Sequence, residues 1–308
     1  MADDRFEADW LTLREPVDHR SRSAVLERAC AAAAREAGWV RAVDLGTGTG
    51  SNLRHLVPRL PTLTTWTLVD HDAALLERIT APSTGTGRPG APDAHALPTP
   101  ELELVHGTLE REGLDVVARC DLVTASALID LVDAGWLDQL AERVAARGAG
   151  VLIALSYDGT ARWRDVEHAD DDAADPEPDA ADPDDTDPDD AWMTGLIRAH
   201  QTREKGMGQA LGPDAVAHAV AALERVGLHC RVEASPWRLA GVADLPLARA
   251  WLQGWVEAAH DMAPDDTARI DASAARLLAE LPRAAVAVDV GHLEPLALPA
   301  RLAHHLGR

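Results

Sequence analysis

The sequence predicts an α/β fold with a doubly wound, mostly parallel sheet of seven strands and helical lid insertions. Five short apolar segments between residues 40 and 155 alternate with segments rich in helix-forming residues. The first segment runs directly into the sequence VDLGTGTG at residues 43–50, and the second ends in an aspartate at position 70. Alternating strands and helices favour a parallel sheet with helices on both faces, whose ligands bind at the carboxyl ends of the strands.

The N-terminal half supplies this alternation element by element. Residues 24–37 are strong helix formers followed by Gly38, which is typical of a helix end. Apolar and β-branched runs predict strands over residues 40–45, 64–69, 102–105, 121–124 and 151–155. Helices are predicted over residues 52–60, 72–79 and 136–147, and the residues rich in Pro, Gly and Thr at 81–100 predict a loop.

The C-terminal half begins after a strongly acidic segment. Residues 169–190 contain DDDAADPEPD and cannot bury enough apolar surface to become ordered, so we expect a solvated, mobile insertion. Such charge runs less often bind a partner or trap a metal ion. Further on, we expect a helix over residues 214–226, a strand over 230–234, two amphipathic helices within 245–281 and a last strand over 284–290. If the last strand is antiparallel, the helices before it and the segment after the fifth strand form a lid over the ligand-binding edge.

Composition and charge restrict the class of partner. The formal net charge is -22, so the protein would repel phosphates, and we expect a small-molecule partner and no nucleic acid. The first residues are acidic and no apolar run is long enough to cross a bilayer, so we expect a cytoplasmic protein without a membrane partner. The cysteines at 30, 120 and 230 lie far apart without ligand-like neighbours, so neither a disulfide nor a metal site is expected.

The glycine turn at residues 46–50 is the strongest functional signal. Its glycines let the backbone bend sharply and approach a ligand closely, and Asp70 suits the diol of a ribose. The dinucleotide fingerprint GxGxxG/A requires glycine or alanine at position 51, where the chain has serine. Asp44 would repel a pyrophosphate but suits a cationic ligand that carries an ammonium group. The competing interpretation is a strand-to-helix turn that binds nothing.

The turn DLGTGTG resembles motif I of class I S-adenosylmethionine-dependent methyltransferases, of a bacterial small-molecule type. The resemblance covers residues 25–160 at motif level and the remainder by topology. It implies S-adenosylmethionine as the cofactor, held at its methionine part by Asp44, Gly46, Thr47, Gly48 and Gly50 and at its ribose by Asp70. It further implies His71, Thr108 and Leu109 beside the adenine, and Ala125 and Ser126 beneath the transferable methyl group. The motif of the enzymes that methylate amino groups of nucleic acids and glutamine is missing after the fourth strand.

The resemblance also organises the chain into four parts. These are an N-terminal cap helix region at 1–38, a Rossmann-like cofactor-binding core at 39–160, an acidic, disordered insertion at 161–194, and the C-terminal half of the sheet with a helical substrate lid at 195–308.

Candidate acceptor-side residues lie downstream of the core. The polar, glycine-rich residues 199–213 resemble a stretch of bacterial methyltransferases of this type, and His200 or Lys205 is predicted to contact the acceptor. A polar surface helix that ends in a glycine-rich loop is the alternative. His200 is also the predicted general base, which is needed only for a hydroxyl or a protonated amine. Tyr157, at the end of the fifth strand, faces the acceptor pocket or is simply a buried ring.

Three arginines, Arg14, Arg20 and Arg22, precede the first predicted helix, which in this family often closes over the cofactor. They are candidates to clamp a carboxylate, although solvated surface arginines are commoner.

The function predicted from these residues is transfer of a methyl group from S-adenosylmethionine to a small-molecule acceptor by in-line displacement. Two alternatives stay open: an NAD(P)-dependent Rossmann oxidoreductase, and a non-catalytic protein that binds S-adenosylmethionine. The sequence leaves open the acceptor and the oligomeric state.

Overall fold

The computed structural model describes residues 8–79, 99–165, 188–204, 206–280 and 286–307. Within them, nine strands form one sheet. The strands are β1 Arg41–Leu45, β2 Thr65–Asp70, β3 Glu101–His106, β4 Leu122–Ser126, β5 Gly150–Ala154, β6 Ser156–Asp165, β7 Leu228–Ala234, β8 Trp237–Leu239 and β9 Val286–Pro299. Their order is β3-β2-β1-β4-β5-β9-β6, and β7 and β8 also pair with β9. The strands β1 to β5 are parallel, and β9 is antiparallel to its partners.

Ten α-helices surround this sheet in the described part of the chain. They are α1 Ala8–Ser21, α2 Ala24–Ala37, α3 Ser51–Leu56, α4 Ala73–Leu76, α5 Leu114–Val117, α6 Ala134–Arg147, α7 Pro188–Gln201, α8 Ala215–Arg225, α9 Gly241–Met262 and α10 Thr267–Glu280. Local sequence sets their ends. Ser23 caps α2 by accepting from Leu26 N, and Gly38 ends it in the left-handed conformation at φ 66°.

The apolar core lies on both faces of the sheet. On one face, α5, α6 and α8 pack over β1, β4 and β5 through residues such as Leu140 and Val144. On the other face, α2 and α3 pack over the same strands through residues such as Leu26 and Leu53. A third apolar cluster joins α1, α7, α9 and α10 to the strands β8 and β9. Because both faces are covered, the central strands are largely buried and mostly apolar, as in parallel sheets generally.

The predicted fold class is confirmed, and the last strand is antiparallel. The predicted count of seven strands is wrong, because β6 and β8 were not predicted. The last strand also extends to Pro299, whereas the sequence predicted its end at 290. The prediction stopped early because Gly291 and Pro295, which lie within the strand, are residue types that usually interrupt strands. The helix α1 was not predicted either, because Pro16 and several charged residues mask its pattern.

The predicted acidic insertion at 161–194 contains regular structure at both ends. The strand β6 runs to Asp165 and the helix α7 begins at Pro188, while residues 166–187 lie outside the described residues. Most of the predicted loop at 81–100 also lies outside them. None of the described helices has the length and apolarity that crossing a membrane requires.

Candidate functional site

The glycine turn connects β1 to α3 and is shaped by three left-handed residues. Gly46, Gly48 and Gly50 have φ values of 62°, 56° and 81°. A Cβ at Gly46 would lie 2.7 Å from Cδ1 of Leu128, and one at Gly48 would lie 3.2 Å from Cδ1 of Leu11. The left-handed backbone at position 46 favours glycine, and a Cβ there would also displace the Leu128 side chain.

Thr47 fastens this turn to the neighbouring strand. Its backbone N–H donates to the carbonyl oxygen of Val69 over 3.1 Å, and the N–H of Gly50 donates back to the carbonyl of Thr47 over 2.9 Å. The turn is thus fixed against the end of β2, beside Asp70.

Asp44 is buried at the base of the turn with one carboxylate oxygen satisfied and the other not. Its Oδ1 accepts from Asn52 Nδ2 at 2.7 Å and from Thr124 Oγ1 at 2.8 Å. Its Oδ2 is buried and makes no hydrogen bond within the described residues, and the hydroxyl of Thr47, also without a partner there, lies near this carboxyl. Burial raises the pKa of this carboxyl, and the nearby donor groups of Asn52, Thr47 and Thr124 oppose that shift. An unsatisfied carboxylate oxygen fits a ligand that brings a donor, such as the ammonium group of S-adenosylmethionine.

Asp70 holds two neighbouring turns together from the end of β2. Its Oδ2 accepts from Gly48 N at 2.8 Å and its Oδ1 accepts from Asp72 N at 2.9 Å. The residue is 6% exposed, and each oxygen has further acceptor capacity for a diol. The next residue, His71, is largely exposed, with Nδ1 3.5 Å from Asp70 Oδ1. The residues present therefore fit both the ammonium and the ribose of the cofactor that the resemblance implies.

The loops after β3 and β4 complete this edge. Gly107 N donates to the Asp70 carbonyl over 3.0 Å, which places Thr108 and Leu109 next to the end of β2. Leu109 opens a π-helical turn, and its carbonyl accepts from Trp136 Nε1 at 3.1 Å. Ala125 and Ser126 end β4. All eleven predicted cofactor residues thus lie at the carboxyl edge of β1 to β4, which the parallel registers bring together.

A buried polar chain that sequence analysis missed leads from this site to β9. Arg22 Nη1 donates to Asn52 Oδ1 at 2.8 Å, and its Nε lies 2.8 Å from Glu294 Oε1. The side chains of Arg22 and Glu294 are 2% and 0% exposed. Burial raises the pKa of Glu294, and the charge of Arg22 opposes that shift. The sequence carried no signal for this chain, because its members are far apart and belong to no motif.

The other two N-terminal arginines are also paired. Arg14 Nε lies 2.8 Å from Asp18 Oδ2, and Arg20 Nη2 lies 2.6 Å from Asp244 Oδ2. The three arginines that were candidates for a carboxylate clamp therefore each contact a carboxylate of this chain.

An aromatic cluster of Tyr157, Trp237 and His292 lies beyond the end of β5. Tyr157 pairs with His292 across β6 and β9, with ring centroids 6.2 Å apart, and Trp237 lies 5.1 Å from the same imidazole. The guanidinium of Arg14 lies 5.0 Å from the Trp237 ring, whose Nε1 donates to Asp18 Oδ1 at 2.9 Å. The sequence predicted only Tyr157 of this cluster.

His292 is the polar centre of the aromatic cluster. It is 5% exposed, and its Nδ1 is buried without a hydrogen-bond partner among the described residues. Burial, together with the nearby charge of Arg14, lowers the pKa of His292 to about 3, so the ring is neutral at pH 7. Burial likewise raises the pKa of the Tyr157 hydroxyl well above its usual range. Both side chains are therefore uncharged hydrogen-bonding groups.

The polar residues 199–213 divide into a helix end and a loop. His200 lies in the last turn of α7, with Nε2 3.8 Å from Asp261 Oδ2, and Arg203 Nη2 lies 3.5 Å from the same oxygen. Leu211 N donates to the Val132 carbonyl over 3.0 Å, so the loop lies beside the segment that follows β4. Lys205 lies outside the described residues. The predicted contacts of His200 and Lys205 with an acceptor stay predictions.

Comparison with known proteins gave matches among solved structures. No protein-family model and no curated protein matches the chain. Human N-acetylserotonin methyltransferase in complex with S-adenosylmethionine is 13% identical over 71% of this chain and 48% of that one, with a TM-score of 0.36. An O-methyltransferase family protein from Burkholderia thailandensis is 13% identical over 91% and 56%, also with a TM-score of 0.36. A candidate type II methyltransferase from Anaeromyxobacter dehalogenans is 17% identical over 87% and 97%, with a TM-score of 0.44. The chain spans about half the length of the first two structures.

Proposed function

We propose that the protein is a methyltransferase that uses S-adenosylmethionine to methylate a small molecule. The observation that supports this most is the buried Asp44 Oδ2, which makes no hydrogen bond within the described residues and lies beside a turn of three left-handed glycines. A dinucleotide would place a pyrophosphate near this carboxylate and be repelled, whereas a ligand with an ammonium group would supply the missing donor. Asp70, fixed on two backbone amides, is the acceptor for the ribose hydroxyls.

The bound cofactor would supply a methyl group on a sulfonium, which is already an activated electrophile. The chain then has to align the acceptor and exclude water. Leu11 and Leu128 lie directly over the glycine turn and Ala125 lies at the end of β4, so apolar side chains border the reacting region. Such alignment contributes effective molarities of roughly 10⁵ to 10⁸ M to well-oriented reactions.

The acceptor would lie between the ends of β4 and β5 and the aromatic cluster. Neither Tyr157 nor His292 carries a charge at pH 7. They would therefore act on an acceptor heteroatom by orienting it through neutral hydrogen bonds. With a pKa of about 3, His292 is too weak a base to remove a proton efficiently near pH 7. If the acceptor is a hydroxyl or a protonated amine, His200 remains the predicted base.

Formation of S-adenosylhomocysteine from S-adenosylmethionine in the presence of a panel of phenols, carboxylic acids, amines and thiols tests this function. Asp44→Asn removes the carboxylate and should abolish turnover on any acceptor that the wild type methylates. Asp115→Asn, an exposed position on α5, is the matched control and should leave turnover unchanged. Binding of S-adenosylmethionine without turnover on the panel would favour the non-catalytic alternative, and no binding would refute the proposal.

A further inference from the structure

Three metal-ligating side chains converge on the surface away from the glycine turn. Glu36 lies in the last turn of α2, and His304 and His305 lie in the 3-10 helix Ala300–Leu306. His304 Nε2 is 3.1 Å from Glu36 Oε2, and His305 Nε2 is 2.8 Å from the same oxygen. In the described residues, these three ligand atoms all lie within 4.8 Å of one another. His304 and His305 follow Glu36 by 268 and 269 positions, so no motif of closely spaced ligands in the sequence indicates this cluster.

The distances suit a small tetrahedral metal ion. Zinc bound by imidazole nitrogen and carboxylate oxygen at about 2.0–2.1 Å places neighbouring ligand atoms roughly 3.3 Å apart. Both Nε2 atoms already face one carboxylate oxygen at 2.8 and 3.1 Å, so the ligands need to separate only slightly. Two imidazoles and one carboxylate form the donor set of several zinc sites, and a fourth position stays open for water.

The backbone that carries the ligands is fixed without any metal. Leu302 and Leu306 of the 3-10 helix are buried in the same core cluster as Ala33 and Ala34 of α2. The carbonyl of Leu306 also accepts from Arg231 Nη1 at 2.6 Å. A site assembled on two elements already packed together loses little entropy when it binds an ion.

The charges also favour a cation. Within the described residues, Glu36 forms its ion pairs with the two histidines and with no arginine. The formal net charge of -22 raises the local concentration of cations around the whole molecule.

We propose that Glu36, His304 and His305 bind one divalent transition-metal ion, with Zn²⁺ as the occupant. The site clips the 3-10 helix Ala300–Leu306 to the end of α2. The site lies apart from the residues assigned to cofactor and acceptor, so its expected role is to stabilise the fold. The metal-site proposal does not depend on whether the chain is a methyltransferase.

Calorimetric titration of the untagged, chelator-treated full chain with ZnCl₂ tests the proposal. Wild type should bind about one equivalent that His305→Ala and Glu36→Gln lose. The affinity loss should exceed the roughly 10–100-fold cost of removing an outer-shell partner of a metal site. His229→Ala, at an exposed histidine on β7, is the matched control and should bind as wild type does. Equal affinity in wild type and both site variants, or no binding to wild type, would overturn the proposal.

A melting experiment separates loss of the site from loss of folding. One equivalent of Zn²⁺ should raise the melting temperature of wild type and of His229→Ala, because an ion that binds only the folded state stabilises that state. Metal-free Glu36→Gln should melt as a cooperative unit but gain nothing from Zn²⁺. The same gain in this variant would contradict a site at Glu36.

Discussion

At the scale of one residue, the proposal that this site binds a ligand with an ammonium group depends on Asp44. Burying a polar atom without a partner costs about 1–3 kcal/mol, more when the group is charged, and Asp44 Oδ2 has no partner in the described structure. Asn52 and Thr124 hold the other oxygen, so the side chain cannot turn to satisfy both oxygens without losing those bonds. A ligand that donates to Oδ2 would offset this cost on binding.

Gly46 and Gly38 form a matched pair of substitution sites. Both are left-handed, at φ 62° and 66°, so alanine at either should lower the free energy of unfolding by about 1–2 kcal/mol. Only Gly46 lies in the turn, where a Cβ would contact Leu128, while a Cβ at Gly38 meets nothing within 4 Å. Gly46→Ala should therefore weaken S-adenosylmethionine binding at least about ten-fold, equivalent to about 1.4 kcal/mol, and Gly38→Ala should not.

Urea unfolding and calorimetry of the two glycine variants check this prediction together. Equal affinities of the two variants for S-adenosylmethionine would mean that the turn does not contact the cofactor.

His292 links the aromatic cluster to the pH dependence of stability. Its pKa is about 3 in the folded protein against an ordinary value of 6.5, so between these pH values the unfolded chain binds the proton and the folded chain does not. Stability from this group is complete above about pH 6.5 and falls as the pH drops toward 3, by about 1.4 kcal/mol per pH unit. Between pH 7 and pH 5, wild type should lose about 2 kcal/mol more than His292→Asn.

The comparison uses urea unfolding of both proteins at each pH. His19 and His55, whose pKa values are also lowered by burial, are present in both proteins and cancel. Parallel losses in the two proteins would show that His292 is not buried as described.

At the scale of elements, β5 illustrates how closely the sheet and its helices pack. Gly150 opens this strand, and a Cβ there would lie 2.5 Å from the indole of Trp39, which is 3% exposed beneath the sheet. The backbone of Trp39 is held against the end of α2, because its N–H donates to the Ala34 carbonyl at 2.9 Å. The ring therefore has little room to move.

Gly150→Ala should lower the free energy of unfolding by about 1–3 kcal/mol through overpacking. Gly254→Ala is the matched control, because it adds the same methyl group to an exposed helical position of α9 with nothing within 4 Å. That control should stabilise the protein by up to about 1 kcal/mol, since alanine is the better helix former. Chemical denaturation of both variants decides the point, and a neutral Gly150→Ala would contradict the packing of Trp39 against β5.

Elements with a local signal were predictable, and elements that depend on distant partners were not. The strands β1 to β5 and the helices α2, α6 and α8 have continuous apolar or periodic patterns, and the structure has them within a few residues of the predicted ends. The strands β6 and β8 exist because β9 supplies their hydrogen bonds. Asp158 and Gly159 in β6 are poor strand formers in isolation, so tertiary pairing outweighs their local preference.

At the scale of the whole molecule, the candidate site has one half that is local in sequence and one that is not. The cofactor half follows from one turn and one aspartate, because parallel strands bring their carboxyl ends to one edge. The proposed acceptor half combines Arg14 and Trp237 with His292, which only the folded chain places together. The buried link from Arg22 to Glu294 arises in the same way. The sequence therefore predicted more residues of the candidate cofactor half than of the proposed acceptor half.

The central claim is that this edge of the sheet binds S-adenosylmethionine, and calorimetric titration tests it most directly. The chain, its Asp70→Ala variant and the Asp115→Asn control are each titrated with S-adenosylmethionine, S-adenosylhomocysteine and NAD(H). Micromolar binding of the first two ligands to wild type and control, lost in Asp70→Ala, is the predicted result. Binding of NAD(H) alone, or S-adenosylmethionine affinity that Asp70→Ala leaves unchanged, would contradict the account.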